Sequence, residues 1–191
     1  MEQINNILFI RHGEPDYKGY LDSANAAGLE IPISSVGLSL RGIMQSKEIC
    51  SQVSKFSPDI IISSPYTRAL QTAVIISNQI CAPVAVEKGL VEWMANLSIQ
   101  LDGKEAYQSL LDEFSSYRGV FSPECKYKWE SIVEVRQRAV QTLNLYAKRY
   151  KNIAVVTHKM LIFQLTGESL PFCGSYVTST HKIEENNTKI F

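Results

Sequence analysis

Short apolar runs alternate along the chain with longer amphipathic segments. The runs are rich in branched side chains and have the length of buried strands, whereas the longer segments repeat apolar residues with the period of a helix. Alternating strands and helices predict an α/β fold, in which a mostly parallel central sheet carries helices on both faces. The predicted strands are residues 7–10, 59–63, 84–86 and 153–156.

Helices are predicted between these strands, and two serines mark where a helix begins. Ser39 and Ser131 each precede an amphipathic segment, and a serine side chain can accept a hydrogen bond from the first helical amides. The apolar face of the first of these helices is predicted to consist of Ile43, Met44, Ile49 and Val53. The polar loop over 15–36 is long for a compact domain, which is typical of a functional loop. The predicted helices cover residues 40–53, 66–79, 103–117, 132–150 and 160–165.

The end of the chain is predicted to depart from this alternation. Residues 176–183 alternate polar and apolar side chains as a half-buried strand does. Residues 185–187 then predict a turn before a last strand over 189–191. Because no repeat, low-complexity stretch or linker interrupts the 191 residues, we expect a single domain over 1–191.

The composition is that of an ordinary globular protein. Hydrophobic residues make up 45% and charged residues 20%, and the formal net charge is zero. A balanced charge gives no bulk attraction to nucleic acid or to an acidic membrane, so neither is an expected partner. Residues 1–6 lack the features of a signal peptide, and no run reaches the roughly 20 apolar residues of a membrane helix. We therefore expect a cytoplasmic protein.

The cysteines and histidines show no metal-site pattern. The cysteines are Cys50, Cys81, Cys125 and Cys173. Since no two of them have the close spacing of zinc ligands, we expect four free thiols and no bound metal. Of the three histidines, His181 lies in no motif, and the candidate chemistry therefore depends on His12 and His158.

Polar side chains that suit phosphate chemistry follow three of the predicted strands. The first strand ends at residues 11–14 (Arg-His-Gly-Glu), and the fourth ends at 157–158 (Thr-His). Arg68 lies in the first turn of the helix after the second strand. Because the carboxyl ends of parallel strands share one edge of a sheet, we expect these groups to converge there.

Two histidines and two arginines without a metal motif fit phosphoryl transfer. The transferred group carries negative charge on its oxygens, and catalysis depends mainly on positioning and electrostatic stabilisation. Arg11 and Arg68 can each donate several hydrogen bonds to those oxygens. His12 can attack phosphorus with one ring nitrogen while a backbone carbonyl fixes the other. His158, when protonated, adds a donor and a charge.

The leaving group of such a reaction needs a proton. A carboxylic acid with a raised pKa can supply it and can then act as a base toward water. Glu92 is the favoured candidate because it follows the third strand and adjoins Trp93, whose apolar ring can keep the acid protonated. Asp102 and Glu14 are the competing carboxylates.

These residues lie in motifs that resemble those of the histidine phosphatase superfamily, also called the phosphoglycerate mutase-like family. The motifs occur in the family's order and span residues 7–158. They are Arg-His-Gly-Glu at 11–14, Leu-Ser with Gly-x-x-Gln at 38–45, Ser-Ser-Pro-x-x-Arg-Ala-x-Gln-Thr-Ala at 63–73, Leu-x-Glu at 90–92 and Val-Val-Thr-His at 155–158. The resemblance implies the family's three-layer α/β sandwich and a catalytic core without cofactor or metal.

The resemblance also implies a role for each candidate residue. His12 would be the phosphorylated nucleophile, and Glu92 would be the acid and base. The rest of the phosphate pocket would consist of Arg11, Arg68 and His158.

The chain departs from the family's pattern at three places. Lys159 stands where a glycine usually follows the second histidine, and a lysine there can crowd the pocket or add a cation beside the phosphate. Lys159 is therefore included among the substrate-binding candidates. Residues 15–18 lack the family's usual polar pattern, and residues 93–103 lack its glycine-rich segment.

Within the family, the chain resembles the phosphatase branch. Mutases have a longer stretch between the acid motif and the second histidine, whereas Glu92 and His158 are 66 positions apart here (158 − 92). We expect a metal-independent phosphomonoesterase that acts on a small phosphorylated metabolite, or on a phosphoprotein, through a phosphohistidine. Phosphoglycerate mutase-type phosphoryl transfer and a non-catalytic phospho-ligand-binding relative are the alternatives.

Overall fold

The computed structural model describes residues 5–20, 22, 32–94 and 103–188, and a five-stranded sheet forms its centre. The strands are β1 (Asn6–Arg11), β2 (Ile60–Ser63), β3 (Val84–Val86), β4 (Asn152–Thr157) and β5 (Ser175–Ser179). Their order across the sheet is β3-β2-β4-β1-β5. Neighbours among the first four strands pair in parallel, and β5 pairs antiparallel with β1 at one edge. The four strands predicted from the apolar runs are confirmed, and β3, at the other edge of the sheet, is only partly buried.

Seven helices within the described part of the chain surround the sheet. They are α1 (Leu40–Glu48), α2 (Cys50–Phe56), α3 (Thr67–Ile80), α4 (Gly103–Ser116), α5 (Ile132–Ala147), α6 (Lys159–Thr166) and α7 (Thr180–Thr188). The predicted N-caps are confirmed, because Ser39 accepts the Gly42 amide and Ser131 forms a reciprocal capping box with Glu134.

Strand β1 is buried on both faces, and its side chains alternate between two apolar clusters. Ile7 and Phe9 contribute to a cluster with side chains from α4, α5, α6 and α7. Leu8 and Ile10 contribute to a second cluster with side chains from α2 and α3. The predicted three-layer α/β fold, with a mostly parallel sheet between two helical layers, is therefore confirmed.

The predicted helix over 40–53 is divided at Ile49 into α1 and α2. Ile49 is buried as expected, but the prediction for Met44 is wrong, since 60% of that residue is exposed. The buried positions of α1 are instead Gly42 and Ser46. Small residues replace an apolar stripe there because the backbone of α1 lies directly against another backbone segment.

The prediction for the end of the chain is only partly right. The strand predicted over 176–183 is confirmed only as far as Ser179, and α7 replaces its last residues and the predicted turn at 185–187. Ile183 lies on the buried side of this helix with 2% exposure, and His181 pairs with Glu185 one turn later at 3.2 Å. The predicted last strand over 189–191 lies outside the described residues.

Several expectations about the whole chain concern thiols, metals and membranes. All four cysteines are free thiols, as predicted. In residues 5–20, 22, 32–94 and 103–188, no three His, Cys, Asp or Glu side chains gather as metal ligands would. The same part of the chain contains no helix with the length and apolar character that crossing a membrane requires. The single domain over 1–191 and the cytoplasmic location stay predictions.

Helix α1 lies against the segment that follows β1. A Cβ atom added at Gly42 would stand 2.2 Å from the Glu14 carbonyl oxygen and 2.9 Å from its amide nitrogen. Gly13 is equally confined, since a Cβ atom there would stand 2.5 Å from the Gly42 carbonyl oxygen. These glycines let two backbones meet, and the meeting fixes the segment that begins with His12.

Replacing Gly42 with alanine is expected to destabilise the fold. In an unconstrained helix the change from glycine would add roughly 1 kcal/mol of stability through helix propensity. Here the added methyl meets backbone atoms, so we expect Gly42→Ala to lower the free energy of unfolding in urea by about 1–3 kcal/mol. Lys47→Ala, an exposed change on the same helix, is the matched control and should stay within roughly 0.5 kcal/mol of the parent. A Gly42→Ala variant as stable as the parent would contradict this account.

Candidate active site

The register of β1 and β4 brings the two motif histidines together. Arg11 is paired with Thr157 at the carboxyl ends of these parallel strands, so His12 and His158 are the next residues on each strand. Their ring centroids are 5.0 Å apart, with the rings inclined at 63°. Both residues are buried, with exposures of 4% and 0%. The two histidines thus meet at the carboxyl edge of the sheet, where their strands end side by side, as the sequence predicted.

The hydrogen bonds of His12 define its tautomer. Its Nδ1 lies 2.7 Å from the Gly13 carbonyl oxygen, and the Arg68 Nε–H donates to its Nε2 at 3.2 Å. A carbonyl oxygen only accepts and a guanidinium only donates, so the proton is on Nδ1 and the lone pair is on Nε2. The ring is therefore neutral and carries its nucleophilic nitrogen beside a guanidinium.

Burial lowers the pKa of His12 to about 3, and the nearby charges of Arg68 and Arg11 act in the same direction. The hydrogen bond to Gly13 opposes this shift without reversing it. His12 is consequently neutral near pH 7 and keeps its lone pair there.

His158 is neutral for the same reasons. Burial, followed by the effects of His12 and Arg68, lowers the pKa of His158 well below its usual range. Its Nε2 lies 2.8 Å from Ser64 Oγ, which also accepts the Tyr66 amide at 3.3 Å. His158 therefore offers a hydrogen-bond donor rather than the charge considered from the sequence.

The other ring nitrogen of His158 marks where a ligand oxygen fits. Nδ1 is buried and has no hydrogen-bond partner among the described residues. A buried polar nitrogen without a partner is costly, and an anion oxygen next to the ring would relieve that cost. With Ser64 donating its hydroxyl proton to Nε2, Nδ1–H is the donor that such an oxygen requires.

Two arginines supply the positive charge of the pocket. Arg68 is 5% exposed, and in addition to His12 its Nη1 binds the Ile33 carbonyl oxygen at 3.1 Å. Arg11 donates from Nη1 to the Leu170 carbonyl oxygen at 2.9 Å, and its guanidinium lies 3.9 Å from the centre of the Phe172 ring. Each guanidinium has five N–H groups, so both keep donors for an anion.

Glu92 follows β3 along the chain, and its carboxyl group contacts the first turn of α6. Its Oε1 accepts the amides of Trp93 at 2.9 Å and Leu161 at 3.2 Å, and its Oε2 accepts the amide of Met160 at 3.3 Å. Burial raises the pKa of Glu92, although these amides and the charge of Arg68 oppose the shift. Because Oε1 accepts two hydrogen bonds and Oε2 only one, Oε2 is the oxygen that retains room for a proton.

The remaining candidates from the sequence lie elsewhere or make other contacts. Lys159 is the first residue of α6 and has an exposed side chain, so its role in substrate binding stays a prediction. Glu14 accepts the Ser39 hydroxyl at 2.9 Å and lies 3.7 Å from Arg41, which makes it a link to α1. Asp102 lies outside the described residues.

The structure adds residues that the sequence analysis did not assign to the site. Thr72 Oγ1 accepts the Gly13 amide at 3.0 Å and donates to the Arg68 carbonyl oxygen at 2.8 Å, so one hydroxyl connects the two segments. Ser64 and Thr72 lie within the quoted motif over 63–73, which was the available signal. Phe172 carried no signal, because its role depends on how the chain returns beside Arg11.

Comparison with known proteins agrees with this architecture. The family model described as histidine phosphatase superfamily (branch 1) matches residues 7–185. No curated protein matches the chain significantly.

Solved structures with the same fold include several phosphatases. A mycobacterial glucosyl-3-phosphoglycerate phosphatase is 19% identical, with a TM-score of 0.71 over 92% of this chain and 90% of that one. The alpha-ribazole phosphatase from Shigella flexneri is 21% identical, with a TM-score of 0.61 over 90% and 89%. Bacillus stearothermophilus YhfR is 17% identical, with a TM-score of 0.66 over 91% and 90%. At these identities the likeness is one of fold.

The neutral state of buried His12 makes folding stability depend on pH. The unfolded residue titrates near 6.5 and the folded one near 3, so the stability that it contributes is complete above pH 6.5 and is lost as pH falls toward 3. Between pH 7 and pH 5 this loss is about 2 kcal/mol. We expect His12→Asn, whose amide can still donate to Gly13, to lose about 2 kcal/mol less than the parent over that interval. Urea unfolding at both pH values measures the difference, and equal losses would show that His12 is not held neutral.

Proposed function

The chain belongs to the histidine phosphatase superfamily, and from this premise we propose that it is a phosphomonoesterase that works through a phosphohistidine on His12. The observation that carries the proposal is the tautomer of His12. Its Nε2 holds a lone pair in a buried pocket, 3.2 Å from the Nε atom of Arg68. A neutral imidazole beside two guanidinium groups is suited to attack a phosphorus atom whose oxygens those groups neutralise.

The proposed substrate phosphate lies between His12, Arg11, Arg68 and His158. The Nε–H group of Arg68 then donates its hydrogen bond to a phosphate oxygen instead of to the His12 ring. This change of acceptor frees His12 Nε2 for the attack. His158 donates from Nδ1 to a second oxygen, and this bond satisfies the nitrogen that lacks a partner among the described residues. The positive charges therefore lie where the transferred group carries negative charge.

Two balanced steps complete the reaction. In the first, the bond between His12 Nε2 and phosphorus forms while the ester bond between phosphorus and oxygen breaks. The departing oxygen takes the proton from Glu92, and Glu92 becomes a carboxylate. In the second, Glu92 removes a proton from water, the water oxygen attacks phosphorus, and His12 leaves with its electron pair. Inorganic phosphate is released, and the protonated Glu92 and the neutral His12 are restored.

The raised pKa of Glu92 supports its part in this sequence. Desolvation favours the protonated acid that the first step consumes, and the three amide donors stabilise the carboxylate that the second step uses. Because both protonation states are stabilised, this carboxyl group can donate a proton in the first step and accept one in the second. We further propose that no metal takes part, because arginine side chains already face the phosphate.

A small phosphorylated metabolite is the proposed substrate class, with a phosphoprotein as the other form of phosphomonoester. The relatives named above include phosphatases of phosphorylated metabolites. A mutase or a non-catalytic phosphate-binding protein would share the pocket, and turnover assays distinguish them. A mutase would isomerise phosphoglycerate in the presence of a bisphosphate primer, and a binding protein would retain phosphate without releasing alcohol.

Replacing the nucleophile tests the proposal directly. We expect His12→Ala to lower the hydrolysis of an aryl phosphate by at least about a thousandfold, because covalent catalysis is lost. The parent enzyme should keep its activity in a chelator and should form an acid-labile phosphoryl adduct when it is quenched during turnover. His181→Ala removes an exposed histidine and is the matched control with unchanged activity. Full activity in His12→Ala, or no turnover by the folded parent, would contradict the proposal.

Removing the proton of Glu92 should affect substrates according to their leaving groups. Nitrophenolate departs without a proton, whereas an alkoxide does not, so we expect Glu92→Gln to lower alkyl phosphate hydrolysis about a hundredfold and nitrophenyl phosphate hydrolysis far less. In the parent, kcat/KM for alkyl phosphates should fall as pH rises through the raised pKa of Glu92, since the protonated form is the active one. Equal losses on both substrates would assign the proton to another group.

A further inference from the structure

A partly buried ion pair lies beside the proposed proton donor. Arg138, on α5, donates to Glu130 through two parallel hydrogen bonds, from Nε to Oε1 at 2.5 Å and from Nη2 to Oε2 at 2.9 Å. The two side chains are 18% and 3% exposed. Paired hydrogen bonds of this kind fix the plane of the guanidinium group as well as its position.

The same guanidinium binds the backbone that carries Glu92. Arg138 Nη1 donates to the carbonyl oxygens of Gly89 at 2.7 Å and Val91 at 2.8 Å. Its Nη2 donates to the carbonyl oxygen of Glu92 at 3.3 Å. Three backbone carbonyls within four residues therefore point to one side chain, although beyond the short 3₁₀ turn at Lys88–Leu90 this segment has no helix or strand of its own.

Glu130 holds the other end of the segment. Its Oε2 accepts the Met94 amide at 3.1 Å, and its own amide donates to the Met94 carbonyl oxygen at 3.0 Å. The indole N–H of Trp93 donates to the Glu130 carbonyl oxygen at 2.6 Å. Residues 89–94 are thus bound on both sides of Glu92 by the members of one ion pair.

Close packing of α5 makes this arrangement specific. A Cβ atom at Gly89 would stand 2.0 Å from Thr142 Oγ1 and 2.8 Å from the Arg138 carbonyl oxygen. Helix α5 consequently lies against the segment at van der Waals distance. The guanidinium group makes five hydrogen bonds, to three carbonyls and to both Glu130 oxygens, whereas a lysine ammonium has only three N–H groups.

We propose that Arg138, oriented by Glu130, is a positioning residue that holds the Glu92 carboxyl group for proton transfer to the leaving group. This inference rests on the proposed function, in which Glu92 is the proton donor. Arg138 does not touch the reacting atoms and acts through the backbone of residues 89–94. Because Glu130 balances its charge, the pair fixes the segment without adding net charge beside the acid.

The test compares substrates that do and do not need a proton. The double variant Arg138→Met with Glu130→Gln removes both charges, so that neither is left buried without its partner. We expect it to hydrolyse an alkyl phosphate about ten- to a hundredfold more slowly, because a displaced acid transfers its proton poorly. Nitrophenyl phosphate hydrolysis should change less than about threefold, since its leaving group departs unaided.

Two further variants keep the result decisive. Arg138→Lys retains the charge but not the fork, and it should show the same selective loss even where the double variant folds poorly. Arg149→Met changes an exposed arginine just after α5 and should leave both substrates unaffected. Equal losses on both substrates, or no loss on either, would overturn the proposal.

Glu92→Gln separates this inference from the proposed function. If Glu92→Gln shows the selective loss on alkyl phosphate and the Arg138 variants do not, the positioning role is wrong while the proposed function stands. If Glu92→Gln shows no selectivity, the proton donor is misassigned and the role of Arg138 fails with it.

Discussion

The parallel pairing of β1 with β4 is the constraint on which the candidate active site depends. It places Arg11 opposite Thr157 and continues through the His12 amide, which donates to the Thr157 carbonyl oxygen at 3.0 Å. A slip of one residue would exchange the two apolar pairs of β1 between the clusters and would draw Asn6 or Arg11 into a buried position. Burial on both faces therefore fixes the register, and the register fixes the distance between His12 and His158.

The pocket that results is electrostatically unusual because its cations surround neutral histidines. The cost of burial, with a smaller effect of the two guanidinium groups, lowers the pKa of His12 and keeps it uncharged, and the same effects act on His158. A bound dianion would offset the charges of the guanidinium groups, whereas burial, the largest cause of the lowered pKa of His12, would continue to favour the neutral ring. The geometry is thus organised for a ligand with several anionic oxygens, which agrees with the chemistry of phosphate esters.

The sequence predicts the parts of the site that follow directly from strand ends. His12 and His158 each close an apolar run, and parallel strands end on one edge, so their meeting could be anticipated. Glu92 could only be favoured over other carboxylates, because it lies in an irregular segment whose path no local pattern specifies. The role of Arg138 could not be seen at all, since it acts on a segment 46 positions earlier in the chain (138 − 92).

The fold shows the same division between regular and irregular features. Apolar runs located the four parallel strands, and capping serines located the starts of α1 and α5. The apolar face predicted for α1 was wrong at Met44 because close backbone contact at Gly42 selects small residues, a tertiary effect without local periodicity. The end of the chain was misread because Ile183 suits either a strand or one face of a helix.

The first turn of α6 joins the two ends of the proposed reaction. His158 is the N-cap of this helix, and Glu92 accepts the amides of Met160 and Leu161 just behind it. Lys159 lies between His158 and Met160 and has a helical backbone. It therefore lacks the positive φ that would favour a glycine at this position. Its exposed side chain leaves the contacts of His158 and Glu92 intact. A helix N-terminus stabilises a nearby carboxylate, so the element that carries the proposed phosphate-binding histidine also stabilises the proposed base of the second step.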